Sequence, residues 1–129
     1  MLTSEQLNAL SNQVIAAALA VHSQLGPGLL ESTYEACLAY ELAERHLTVE
    51  QQQVVPLVYK GLRLDQGYRL DLLVEHELIL EIKAVDELLS IHKAQLLTYL
   101  KLTGLRLGLL MNFNVQLLKT GIHRVAYHL

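Results

Sequence analysis

Residues 69–83, Arg-Leu-Asp-Leu-Leu-Val-Glu-His-Glu-Leu-Ile-Leu-Glu-Ile-Lys, read as two short strands, Tyr68 to Val74 and Leu78 to Lys83, with a tight connection at Glu75-His76-Glu77. A connection centred on His76 sets Asp71 directly opposite Glu81. Alternation supports that register. Leu70, Leu72 and Val74 share one face with Leu78, Leu80 and Ile82, while Arg69, Asp71, Glu81 and Lys83 share the other. Two acids facing each other at roughly 5 Å repel unless positive charge lies beside them. Two arrangements supply it. In one, Arg69 pairs diagonally with Glu81 and Lys83 with Asp71, an ordinary charged surface. In the other, a divalent cation sits between the acids. Leu73 and Ile79 lie on the same face, which implies that a helix partly covers it.

Upstream, Val54, Val55, Leu57, Val58 and Tyr59 suggest a further strand ending at a Lys60-Gly61 turn, which makes a three-stranded antiparallel meander. Before that the period is helical. Thr3 with Gln6 forms a capping-box pattern, and Leu7, Leu10, Val14, Ala17, Ala18, Val21 and Leu25 predict a helix from Ser4 to Gln24. Gly26-Pro27-Gly28 stops it, and a second helix with Leu30, Tyr34, Leu38 and Leu42 on one face runs to about His46. Glu31 falls between Leu38 and Leu42 on that face, a carboxylate pointed at the core. The alternative is a first-turn acid favoured by the helix dipole, a reading that suits Glu35 and Glu44 better.

Downstream, Leu88 to Leu102 is helical and ends at Gly104; Leu105 to Phe113 is a buried strand. A short helix or turn at Val115 to Lys119 and a last strand from Ile122 to Tyr127 complete the chain. Gln95 lies at the centre of the stripe formed by Leu88, Ile91, Tyr99 and Leu102, and it reaches the same spot as Tyr99 four residues on. His92, at the stripe's edge, reads as a packing residue.

No linker, repeat or low-complexity tract divides the 129 residues, and residues 1–129 are expected to form a single domain. The longest apolar run, Val14 to Val21, is far short of the roughly 20 residues that cross a bilayer. The first Lys or Arg is Arg45, which leaves no basic start for a secretory or organelle signal, so a cytoplasmic protein without membrane contact is expected. The single Cys37 excludes an intramolecular disulfide and a cysteine-based zinc site. With a net charge of -3 there is no long-range pull on nucleic acid, so any such contact is local or metal-assisted.

Asp71, nine intervening residues and then Glu81-Ile82-Lys83 on adjacent strands resemble the D-(x)n-E-x-K signature of the PD-(D/E)XK nuclease superfamily, with Leu70 standing where the signature has proline. Gly28-Leu29-Leu30-Glu31-Ser32-Thr33-Tyr34 matches the motif of the GxxExxY family, which is placed in that superfamily. Val21-His22, Leu25-Gly26-Pro27-Gly28, Ala94-Gln95-Leu96-Leu97-Thr98-Tyr99 and Met111-Asn112-Phe113-Asn114 are also similar to it.

The resemblance implies an α/β fold, a restriction-endonuclease-like mixed β-sheet flanked by helices, with a helix, three strands, helix, strand core and an extra N-terminal helix. It implies Mg²⁺ or Mn²⁺ held by Glu31, Asp71, Glu81 and the carbonyl of Ile82. Asp71, Glu81 and Lys83 would be catalytic, Lys83 orienting or activating the attacking water. Gln95, Tyr99 and Tyr34 would support the site or contact substrate. The expected activity is metal-dependent hydrolysis of phosphodiester bonds in nucleic acid, DNA favoured over RNA, with homo-oligomerisation left open. A noncatalytic binding or assembly module on the same fold is the alternative, and a hydrolase of small phosphate compounds a third. The acidic balance favours the module. Retention of Asp71, Glu81, Lys83 and Glu31 together favours the enzyme.

Overall fold

A computed structural model describes residues 1–65 and 67–129. The helix α1 (Ser4–Leu25) opens on the expected capping box, with Thr3 Oγ1 accepting from the Gln6 N–H at 3.0 Å and the Gln6 side chain accepting from the Thr3 N–H at 2.9 Å. It buries Leu7, Leu10, Val14, Ala17, Ala18 and Val21. The helix α2 (Glu31–Glu44) buries Tyr34, Leu38 and Leu42, but Leu30 precedes its first turn and is 74% exposed, outside the apolar face assigned to it.

The expected meander is corrected by the strand that precedes it. Strand β1 (Val49–Val54) pairs antiparallel with β4 (Arg69–Val74), from Val49↔Val74 to Val54↔Arg69. Its Gln51, Gln52 and Gln53 are exposed, so an edge strand forms here without the apolar alternation that would announce it. The segment read as one strand from Val54 to Tyr59 divides at Val55-Pro56. Leu57–Tyr59 (β2) then pairs with Leu62–Leu64 (β3) as a separate hairpin. Lys60 and Gly61 both have positive φ in its turn, the conformation that a two-residue hairpin loop demands.

Strand β5 (Leu78–Lys83) is antiparallel to β4 and parallel to β6 (Leu107–Asn112), which it reaches through α3 (Ser90–Thr103). Gly104 closes α3 in the left-handed conformation, its N–H returning to the Leu100 carbonyl. A 3-10 turn falls at Leu118–Gly121, later than the expected Val115–Lys119. It leads into β7 (Ile122–Ala126), antiparallel to β6. The sheet order is β1-β4-β5-β6-β7, the mixed sheet flanked by helices that was expected.

Its two faces are covered separately. Leu72, Val74, Leu78, Leu80, Ile82, Leu107, Leu109 and Met111 pack against α1 and α2, whereas Ile79 and Leu110 pack against Leu96, Tyr99 and Leu100 of α3. Gly108 lets α3 approach closely, since a Cβ there would lie 2.7 Å from Leu96 Cδ1. Among the described residues, no helix is long and apolar enough to cross a membrane.

Candidate active site

The β4–β5 ladder runs from Val74↔Leu78 to Leu72↔Leu80, the register expected about His76. At the next position the Asp71 side chain acts as a main-chain acceptor would, its Oδ2 receiving the Ile82 N–H at 2.7 Å. The strands fork there. Leu70, beyond the fork, joins the α3-side cluster and so does not share the Leu72 side as simple alternation predicts.

Glu81 stands at this fork, only 7% exposed, and its Oε1 has no hydrogen-bond partner among the described residues. Burial first, then the charge of Asp71 and a hydrogen bond with its carboxyl group, push the Glu81 pKa up to about 9 against the pull of Lys83. A buried acid with a free oxygen is expensive, and such expense is concentrated at functional sites. The diagonal ion pairs of the charged-surface alternative are not formed. Among the described residues neither Arg69 nor Lys83 makes an ion pair, and Arg69 Nη1 donates to the Gln52 carbonyl at 3.4 Å.

From the α3 side, Tyr99 reaches the acids. Burial and then the charges of Glu81 and Asp71 raise its hydroxyl pKa, while Gln95 Nε2 donates to Tyr99 Oη at 3.1 Å and opposes the rise. The face of α3 that is buried is Leu96, Tyr99 and Leu100. The stripe expected to be core is therefore corrected: Ile91 is 64% exposed, and Gln95 and Leu102 are exposed with it. An amide at position 95 meets solvent and a groove, not a packed interior. His92 caps its helix, Nδ1 accepting the Leu89 N–H at 3.0 Å.

From the α2 side, Glu31 is exposed at the start of the helix, which corrects the expectation that it points into the core. The first turn gives it the helix dipole and spares it burial. Its Oε2 accepts the N–H of Ala84, the residue after Lys83, at 3.3 Å. Among the described residues, no three His, Cys, Asp or Glu side chains converge as a metal cage. The structure therefore joins Asp71 to Glu81 at the fork and brings Glu31 to the end of β5. Ile82 is buried with its side chain on the α1–α2 side.

Glu35, read from sequence as an acid favoured by the helix dipole, also belongs to this region. Its Oε1 accepts from Gln52 Nε2 at 2.7 Å and its Oε2 from Gln51 Nε2 at 3.1 Å, while Gln52 Nε2 lies 3.5 Å from Asp71 Oδ1. Gln52 holds φ +53°, uncommon for a residue other than glycine. The four-residue spacing of Glu31 and Glu35 was the available signal, because it puts both on one helix face.

The dispersed motif segments meet in one joint behind the site. Tyr34 is fully buried and stacks on Phe113 at 4.7 Å between ring centroids. Its hydroxyl donates to the Gly26 carbonyl at 2.6 Å and accepts the Leu29 N–H at 3.1 Å, fixing the loop that delivers Glu31. His22 Nε2 donates to the Phe113 carbonyl at 3.1 Å, and Asn114 Oδ1 accepts the Gly28 N–H at 3.1 Å. Asn112 clasps Val85 through both its main-chain groups, holding the loop after Lys83. Tyr34→Phe keeps the ring stack but orphans the loop. It is expected to cost about 1 kcal/mol, read as a lower melting temperature; an unchanged melt would show that the hydroxyl does not hold this loop.

The PD-(D/E)XK nuclease superfamily model matches residues 8–125, nearly the whole chain. No curated protein and no solved structure matches it. With acids paired at a forked β-hairpin, a lysine two residues beyond the second acid and a family match spanning the sheet and its helices, the chain belongs to the PD-(D/E)XK nuclease superfamily.

Proposed function

We propose that this protein hydrolyses phosphodiester bonds in nucleic acid, DNA before RNA, with Mg²⁺ or Mn²⁺. The observation that carries the reading is the buried, unpartnered Oε1 of Glu81 beside Asp71. Mg²⁺ is commonly held by one or two carboxylates with waters completing its shell, and the hard oxygens of this pair fit that demand. Asp71 and Glu81 would hold the ion with the Ile82 carbonyl, and Glu31 would stand at the rim. When bound, such an ion neutralises phosphate charge and acidifies a water.

The chain's own groups do the rest. Glu81 would hold the ion as the carboxylate, its proton passing to solvent. Lys83, two residues on along β5 and without an ion pair among the described residues, presents its ammonium to the attacking water and to charge developing on the phosphate. Gln95 holds the Tyr99 hydroxyl near both acids.

Labelled single- and double-stranded DNA and RNA, incubated with Mg²⁺, Mn²⁺ or EDTA, test the activity. Metal-dependent cleavage is expected, together with stabilisation of about 2.7 kcal/mol at a metal concentration a hundred times the dissociation constant. Stabilisation without cleavage of any nucleic acid would leave a binding module or a small-phosphate hydrolase. Neither effect at millimolar Mn²⁺ would overturn the metal site itself.

A further inference from the structure

Beside the acid pair, between α3 and the inserted β2–β3 hairpin, lies an open groove of about 380 Å³. Leu57, Ile91 and Leu102 give it apolar walls, Tyr68 an aromatic face that is 46% exposed, and Gln95 a polar floor. Tyr99 lines this groove and also feels the charges of Glu81 and Asp71, so the groove and the acid pair share it as a common wall. Among the described residues its lining contains neither acids nor Lys or Arg, and the imidazole of His92 has its Nδ1 engaged by the Leu89 N–H.

We infer that this groove receives one unpaired nucleobase, so that the strand offered to the acids is single-stranded or frayed. The inference takes its choice of ligand from the nuclease reading. A phosphate is poorly served by a lining without fixed positive charge, whereas a neutral planar ring gains from apolar walls and an aromatic face. The volume lies at the small end of ligand pockets, roughly 300–1,000 Å³, and suits one base better than a stack of base pairs. Gln95 spends one N–H on Tyr99, which leaves its carbonyl and second N–H to meet a base edge. A net charge of -3 makes tracking of duplex phosphates weak, so base stacking carries a larger share of the binding.

The test is fluorescence anisotropy in Mn²⁺ with three hydrolysis-resistant phosphorothioate probes of equal length: a single strand, an abasic single strand and a blunt duplex. The single strand is expected to bind about ten-fold tighter than either other probe. Tyr68→Ala and Ile91→Asp are both at exposed positions, and each is expected to lower its affinity about ten-fold while leaving the Mn²⁺-induced melting shift unchanged. Equal binding of natural and abasic strands, or of duplex and single strand, overturns the inference even if the protein cleaves DNA. Base-dependent binding lost in Tyr68→Ala, with no cleavage and no melting shift, upholds the groove and sinks the nuclease reading instead. Binding of no probe overturns the groove's assignment and leaves its apolar walls to a protein partner or a second copy, which sedimentation would reveal.

Discussion

Lys83→Met is expected to slow phosphodiester cleavage by a factor of about 10²–10³ and to leave the stabilisation by Mn²⁺ in place. The substitution keeps a long apolar stem, so packing at the end of β5 is preserved while the ammonium is removed. Its charge pulls the Glu81 pKa down, and its loss leaves the carboxyl pair still able to bind a cation. Asp71→Asn is expected to lose both cleavage and metal stabilisation, since it removes a ligand along with the charge opposite Glu81. Single-turnover cleavage and thermal melts on the same preparations separate the two. A Lys83→Met protein that cleaves as fast as wild type would refute the role given to this lysine.

An equally large effect follows from the proton on Glu81. In the metal-free fold it is retained up to about pH 9, whereas in the unfolded chain it leaves near the ordinary value of 4.5. Between those values the folded state binds more protons than the unfolded state, so this group's stabilisation is complete below about 4.5 and is lost as pH rises toward 9. Metal binding works in the opposite direction, because the ligand form is the carboxylate. Mn²⁺ affinity is therefore expected to rise by about tenfold per pH unit below 9, with close to one proton released. Calorimetric titrations at several pH values in buffers of different ionisation enthalpy measure both quantities. Glu81→Leu is expected to melt higher than wild type at pH 8.5 in EDTA and to lose the Mn²⁺ response. A metal affinity flat in pH would mean that Glu81 is already ionised and not buried as described.

The hairpin about His76 was legible in the sequence because Leu72, Val74, Leu78 and Leu80 alternate about it and a slip of one residue would turn Leu72 and Leu80 outward. The helix α1 was legible through its capping box and Gly26, and α3 through its periodicity and the terminating Gly104. Strand β1 was not, since Gln51, Gln52 and Gln53 lie exposed at the sheet edge and carry no apolar signal. The position of Glu31 was misjudged for a related reason. Helical periodicity gives the angle of a side chain but not whether the first turn is covered, and here it is open. The contacts of Gln52 with Glu35 and Asp71 were not legible, because they depend on how far α2 leans over the sheet edge, although the spacing of Glu35 from Glu31 put both on one helix face.

The joint on Phe113 and Asn114 also bears on the order in which the chain folds. His22 and Phe113 are separated by 91 residues, and Glu31 and Ala84 by 53, while Asp71 and Ile82 are only 11 apart. Loop closure delays the distant contacts relative to the local ones. The β4–β5 hairpin can thus form early, with its acids still open to water, and its repulsion is then weakest. Desolvation of Glu81 comes later, when α3 closes over the sheet. During synthesis the residues of α1, α2 and the hairpin emerge before those of β6, so the acids are expected to face each other in water before the surroundings that raise the Glu81 pKa assemble.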